Sequence, residues 1–465
     1  MHGGFHYNPR PPPPFPEPPA AEPFGGGRFV STMPAAALHD VCAIDFGTSN
    51  SAIGLMATDG VRLVELEPGH RTMPTAVFYV ADPDEREERG ARLYGRAALA
   101  AYVEGVDGRL MRSMKSVLGS SLLEQHTEIG EGDRVRYVDV IATYLRELKR
   151  RAEAAHGAPL RRAVLGRPVF FVDDDPVRDA QAQAALEAAA RGVGFAELAF
   201  QYEPIAAALD YEQQAGSEQR VLVADIGGGT SDFSLVRVGP EREGRVDRRD
   251  DILASHGVHI AGTDFDRRIE LAAILPCCGY RSLGPARPGE AAREVPNRVY
   301  FDLATWHLIN TVYAPPRVRE LAAMREFYGE PLLHARLMRV VQQRLGHALA
   351  ARAEAAKIAV ASGGHTRVAL DDVEPELAVE VGEAQAAQAL EADLQRIVDA
   401  AHETVRAAGL RPEQVDALYF TGGSTGLRPL VERIAAGFPR AQRVQGDALA
   451  SVGRGLALHA QRWFA

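Results

Sequence analysis

Two segments of this 465-residue chain set an aspartate, glycines and hydroxyls in the same order. Val41-Cys42-Ala43-Ile44 runs into Asp45-Phe46-Gly47-Thr48-Ser49-Asn50 and then Ser51-Ala52-Ile53-Gly54-Leu55-Met56. Val221-Leu222-Val223-Ala224 runs into Asp225-Ile226-Gly227-Gly228-Gly229-Thr230-Ser231-Asp232 and then Phe233-Ser234-Leu235-Val236-Arg237-Val238. Each reads as strand, tight polar loop, strand. Such a hairpin suits a polyphosphate. Glycines let backbone N–H groups approach and form an anion nest. Hydroxyls donate to phosphate oxygens, and aspartates hold Mg²⁺ through the waters that this ion keeps. A third loop, Thr421-Gly422-Gly423-Ser424-Thr425-Gly426, follows a strand-like run and precedes a helical one, placing a helix N-terminus where a nucleotide fits. A single glycine-rich turn is usually structural; two related hairpins and a strand-to-helix turn together are harder to dismiss. There is no G-x-x-x-x-G-K-[ST] loop and no dinucleotide fingerprint in the third loop, which excludes a Walker-type ATPase.

The elements that must hold these loops are legible in outline. Asp45 and Asp225 lie 180 residues apart, about one large domain, so the simplest reading is an α/β chain of two duplicated lobes. Val164–Phe171 reads as a buried strand and the Ala-rich stretch 179–191 as a helix. Glu203 opens another helix, with Pro204 in its first turn. Leu390, Leu394, Ile397, Val398, Ala401 and Val405 have helical spacing, and Gly409 stops that helix. Residues 281–296, with Pro285, Pro288 and Pro296, read as a loop inside an insertion. Lobe I is expected over 40–219, with the C-terminal segment 445–465 returning to it, and lobe II over 220–444. Nine of the 29 prolines fall in the first 23 residues, so 1–38 is expected to be an extended, disordered tail, and deletion of residues 1–32 is expected to cost no stability.

Composition narrows the classes. With 46% apolar and 25% charged residues the chain is globular. A net charge of −10 argues against a general nucleic-acid binder. Cys42, Cys277 and Cys278 exclude a disulfide framework and make a Cys-rich zinc site improbable. No apolar run reaches 18 residues and the N-terminus lacks a secretory pattern, so no membrane association and a cytoplasmic location are expected. Only Lys115, Lys149 and Lys357 are lysines among the 52 basic residues, a weak hint that a compact ammonium is preferred at those places.

These segments resemble the superfamily of actin, sugar kinases and heat-shock-seventy ATPases, and most of all the nucleotide-binding part of DnaK-type chaperones. Asp45–Asn50 and Val221–Asp232 are similar to its two phosphate motifs. Tyr202-Glu203-Pro204-Ile205-Ala206-Ala207-Ala208 resembles its connecting motif, and Ala261-Gly262-Thr263-Asp264-Phe265-Asp266 its G-G-x-D-F-D segment. Gly422-Gly423-Ser424-Thr425 resembles the adenosine motif and Asp447 to Gly453 the closing segment. Val164–Pro168 and Gln201–Pro204 look most like the short YegD-type branch. The chain ends at Trp463-Phe464-Ala465, with no segment resembling the family's linker or peptide clamp, so peptide binding of that kind is not expected.

The resemblance implies an actin-like ATPase fold around a nucleotide cleft, a slow conversion of ATP and water to ADP and phosphate, and lobe movement driven by nucleotide state. It implies protein clients or co-chaperones as partners besides the nucleotide. Lys115 matches the lysine that reaches the γ-phosphate, and Glu203 the residue that positions water. Asp45 and Asp225 would organise Mg²⁺, and Asp232 a monovalent cation such as K⁺. Gly47, Thr48, Ser49, Asn50, Gly227, Gly228, Gly229 and Thr230 would cradle phosphates. Glu354, Lys357, Gly422, Gly423, Ser424 and Asp447 would hold the nucleoside. Pro168 matches a hinge proline, with Arg178 as a candidate partner. Ile358 stands where the family stacks an arginine on the purine, Ala361 replaces a serine, and Gly426 another arginine. A nucleotide-gated scaffold with little turnover, and a small-molecule kinase of the same fold, are the alternatives.

Overall fold

The computed structural model describes residues 38–57, 60–81, 91–129, 133–285, 291–446 and 451–464. The tail expected over 1–38 lies outside them, except for Leu38, which is buried, and so does Asp447. The chain divides into two units. The first takes the described residues of Met1–Gly95, with Gly108–Gln201 and Leu456–Ala465; the second takes Arg96–Asp107 and Tyr202–Gly455.

The first unit is built on strands β1 (Val41–Phe46), β2 (Asn50–Ala57), β3 (Gly60–Leu63), β4 (Thr72–Pro74), β5 (Arg162–Arg167) and β6 (Glu197–Tyr202). Their order is β6-β5-β1-β2-β3, with β4 also on β2. The second unit is built on β7 (Gln219–Ile226), β8 (Ser231–Val238), β9 (Ile252–Val258), β10 (Ala417–Thr421) and β11 (Gln442–Gln445), in the order β11-β10-β7-β8-β9. The plans coincide. Each has an antiparallel hairpin whose first strand pairs in parallel with a later strand, β1 with β5 and β7 with β10. The second hairpin strand pairs antiparallel with a third, β2 with β3 and β8 with β9. Register repeats too: Phe46 faces Ser51 and Ile226 faces Ser231, leaving four-residue loops in both hairpins.

Burial explains the sequence pattern. Val41, Cys42, Ala43, Ile44 and Phe46 are all buried, as are Val221, Leu222, Val223, Ala224 and Ile226, so these central strands read as continuous apolar runs. The exceptions are Asp45 and Asp225, half-buried at the penultimate position of each strand. In the first unit, α1 (Tyr137–His156) and α2 (Pro176–Gly192) contribute Val140, Tyr144, Leu148, Ala182 and Leu186 to one core with Ile44, Phe46 and Ile53. The α1 set recurs every four residues, the stripe an amphipathic helix buries. Gly157, with φ 81°, ends α1 and its N–H donates to the Glu153 carbonyl at 2.8 Å. Asp175 caps α2, accepting from Arg178 N at 3.0 Å. Lys149 lies 2.5 Å from Glu153 Oε1 with its ammonium over the Phe195 ring.

In the second unit, α3 (Glu203–Glu212) packs on β7 and β8, which assigns residues 202–219 there. Residues 96–107 join it through Tyr102, stacked on Trp306 at 4.7 Å. The helices α4 (Gly262–Ile269), α5 (Gly346–Val360), α6 (Glu383–Ala407) and α7 (Arg428–Ala436) complete the unit's main framework. Leu390, Leu394, Ile397 and Ala401 of α6 meet Leu222, Phe233 and Phe420 in its core. One sequence expectation fails: the strand read over Val164–Phe171 stops at Arg167, and Phe170 is 47% exposed. Pro168 supplies no backbone N–H, so the ladder has no donor at that step. Among the described residues no helix is long and apolar enough to cross a membrane.

Candidate functional site

In the first unit the loop Gly47–Asn50 is closed by sterics and by one threonine. A Cβ on Gly47 would lie 2.2 Å from the Asn50 carbonyl oxygen, so only glycine fits. Thr75 holds the loop. Its N–H donates to Ser49 O at 2.9 Å, its hydroxyl donates to Gly47 O at 2.8 Å, and the hydroxyl also lies 2.9 Å from Ser51 Oγ. Sequence reasoning missed Thr75, which lies in no motif; a threonine after Met73-Pro74 carries no signal of its own.

Lys115 sits on a short 3₁₀ turn, Met114–Val117, and is buried. Ser113 before it is left-handed, with φ 55° and ψ 34°, a conformation that costs a non-glycine residue about 1–2 kcal/mol. The turn leads to Gly119, φ 73°, where a Cβ would lie 2.4 Å from Val172 Cγ2. Arg178 Nε donates to Gly119 O at 2.8 Å, tying the Lys115 segment to α2. The carbonyl of Pro168 is held instead by Arg167 Nε at 3.0 Å, and Arg167 is fixed by Asp179 at 2.8 Å.

In the second unit three glycine segments converge. Gly227 N–H donates to Thr230 O at 3.0 Å and closes the loop. Gly227 O accepts from Gly262 N at 3.2 Å and from Ser424 Oγ at 2.7 Å. Gly228 O accepts from the N–H and the hydroxyl of Thr263, both at 2.8 Å. A Cβ on Gly262 would lie 2.6 Å from Ser424 Oγ. Gly422, φ 87°, comes so close to the end of β7 that a Cβ would lie 2.4 Å from Ile226 O and 2.7 Å from Asp225 Oδ1. Parallel pairing of Asp225 with Thr421 brings this about. Asp225, Gly227–Thr230, Gly262–Thr263 and Gly422–Ser424 thus share one end of the sheet. Ser424 braces the hairpin with its hydroxyl, and Gly423 lies in the turn Gly423–Gly426. Asp232 faces Asp225 across the hairpin, is exposed, and accepts from Thr230 Oγ1 at 2.7 Å.

Glu203 is the half-buried first residue of α3. On α5, Lys357 Nζ lies 2.7 Å from Asp266 Oδ1 and 3.4 Å from Gly262 O, so this lysine ties α5 to the segment that touches the hairpin. Glu354 is exposed one turn earlier, and Ile358 is 64% exposed. Asp266 and Thr263, to which the sequence reading gave no individual role, hold these segments through Lys357 and Gly228.

Burial pushes the Asp266 carboxyl up to about 6, with Lys357 opposing the rise. A carboxyl raised in the folded state holds its proton longer than in the unfolded chain, where the value is 3.8. Its contribution is complete below about pH 4 and drains away as pH rises to about 6. The stability of the native chain minus that of Asp266→Asn is therefore expected to fall between pH 4.5 and 7. Urea titrations across that range check it; a difference that rises with pH contradicts the assignment.

Comparisons place this geometry among known chains. The family described as Hsp70 protein matches residues 41–273. The chaperone protein DnaK of Thermotoga neapolitana is 33% identical over 232 residues, 49% of this chain and 35% of that protein. DnaK of Thermosipho africanus is 34% identical over 232 residues, 49% of this chain and 34% of its own. The match thus spans about a third of the length of these relatives. Both hairpins, Lys115 and Glu203 fall inside the family match; Lys357 and the Gly422–Gly426 turn fall outside it.

Proposed function

Because this chain belongs to the Hsp70 family, with its actin-like ATPase fold, we propose that it binds Mg-ATP and hydrolyses it slowly to ADP and phosphate, coupling nucleotide state to movement of its two units. The observation that carries this reading is the repeated hairpin: same strand order, same loop length, and a half-buried aspartate at the same position in each unit. In this reading the glycine loops supply N–H donors to phosphates. Lys115 places a point charge at the γ-phosphate, where charge stabilisation speeds phosphoryl transfer. Glu203 orients the attacking water.

In this reading Asp45 and Asp225 would each offer a carboxylate to Mg²⁺, an ion that takes a carboxylate or two, phosphate oxygens and retained waters rather than an all-protein cage. The ion would neutralise phosphate charge. Protein clients or co-chaperones in the cytoplasm are the proposed partners, and the YegD-type branch is the proposed place within the family. Measuring ATP affinity and single-turnover phosphate release with and without Mg²⁺ tests the function. Binding with no release above background overturns the ATPase.

A second reading, a nucleotide-gated scaffold with little turnover, rests on the altered adenosine-side residues, Ile358 among them. Adenine is expected to be preferred only modestly over guanine, because the hairpins contact what all nucleotides share and Ile358 offers no cation to stack on a base. Competition binding of ATP against GTP checks this. A preference above about a thousandfold, near 4 kcal/mol, would mean that other residues read the base.

A further inference from the structure

Helix α4 does not end alone. It continues as a π-helical turn, Glu270–Ile274, and then as a 3₁₀ turn, Leu275–Cys278, so one helical run leads from the hairpin contact at Gly262 to the adjacent cysteines. There the Sγ atoms of Cys277 and Cys278 lie 3.8 Å apart. Cys277 is half-buried and reachable from solvent, while Cys278 is buried against the core that holds Tyr300 and Tyr328. Arg336 reaches the pair, its Nη1 donating to Cys277 O at 3.3 Å, and a guanidinium there favours a thiolate. The hydroxyl of Tyr300 donates to Cys278 O at 2.8 Å and fixes the backbone behind the buried thiol.

We propose that Cys277 and Cys278 form a reversible two-electron thiol site, oxidised by hydroperoxides to an intramolecular disulfide between neighbours in sequence. The partly exposed Cys277 is the attacking sulfur. Its thiol is held below the usual range by the Cys278 hydrogen bond and by Arg336, against burial, while Cys278 is pushed up by the same contact and by burial. The Cys277 thiolate attacks one peroxide oxygen and the O–O bond breaks, giving a sulfenic acid and hydroxide, or alkoxide from an organic hydroperoxide, which takes up the proton that Cys277 lost and leaves as water or alcohol. The Cys278 sulfur then attacks the sulfenic sulfur. Hydroxide leaves and departs as water with the Cys278 proton. Two thiols and one hydrogen peroxide give one disulfide and two waters.

The ring so formed is strained. Neighbouring Cα atoms across a trans peptide are about 3.8 Å apart, below the usual disulfide range, so the bond reduces easily, the mark of a regulatory rather than structural link. It also cannot close within an undisturbed 3₁₀ turn. The bonds that span the pair, Gly279 N to Pro276 O at 3.0 Å and Tyr280 N to Leu275 O at 3.1 Å, must give. Cys42 is an internal control. It is fully buried in β1 and burial pushes its thiol far up, so it is inert to this chemistry.

The test is stoichiometric hydrogen peroxide on the full chain, read by thiol counting, intact mass and peptide mapping. The expected result is loss of two of the three thiols, a mass 2 Da lower on one peptide holding both cysteines, and full return with dithiothreitol. Amide exchange at Gly279 and Tyr280 should rise at least tenfold on oxidation. In Cys278→Ser the same treatment should leave a dimedone-reactive sulfenic acid on Cys277, and in Cys277→Ser no thiol should react at that dose. Sulfenic or sulfinic acid on Cys277 in the native chain with Cys278 still free overturns the proposal. So does a disulfide between two chains, or three thiols left intact.

Discussion

Lys115→Ala is expected to slow single-turnover phosphate release by on the order of a hundredfold or more, while ATP affinity changes by less than about tenfold. Phosphoryl transfer draws mainly on positioning and charge, and the lysine acts where charge builds. Ground-state binding survives because the glycine loops still hold the other phosphates. Lys115→Arg should not restore the rate. The lysine is buried on a 3₁₀ turn behind a left-handed serine, and a planar fork cannot replace a compact ammonium there. Asp225→Ala should also slow release, with a defect that eases as Mg²⁺ concentration rises. Rapid-quench release and equilibrium binding, with melting curves to confirm folding, check all three. A Lys115→Ala chain that releases phosphate at the native rate removes the lysine from the chemistry and leaves the ATPase standing.

Gly422→Ala should be a strongly damaging conservative change in the second unit. Its φ of 87° with ψ 148° lies in a region that is essentially glycine's alone and costs an alanine about 1–3 kcal/mol. The added carbon would also lie 2.4 Å from a backbone oxygen of Ile226, which cannot swing aside as a side chain would. The two effects together should lower stability by about 2–4 kcal/mol. Because the same carbon lies 2.7 Å from Asp225 Oδ1, nucleotide affinity should fall further than the lost stability alone would cause. Gly426→Ala, four residues on with nothing within 4 Å of its Cβ, is the matched control and should change neither. Denaturant melts and nucleotide titrations distinguish the two. A Gly422→Ala chain as stable as the control would show that the approach to β7 is looser than described.

The sequence carried the two hairpins because their alternation of buried strand and polar loop is local, and α2, α3 and α6 because an Ala-rich run, a first-turn proline and a helical spacing of apolar residues are local signals too. It did not carry Thr75, whose role depends on β4 pairing with β2, or the brace from Ser424 to Gly227, which joins residues 197 apart. The Val164–Phe171 run misled because apolar residues there continue past the strand's last partner. Two related lobes were anticipated from the repeated loops, but their common strand order lies in pairings between distant strands that no local pattern encodes.

The scarcity of lysine has a chemical consequence once its places are known. Lys115 is buried, Lys149 is paired with Glu153 and covers Phe195, and Lys357 is paired with Asp266. All three ε-amines are thereby sequestered, while the cationic surface is made of guanidinium. Reagents and enzymes that acylate side-chain amines therefore meet a nearly silent protein. An acyl group that does attach at one of these lysines reports a local opening of the turn or helix that carries it.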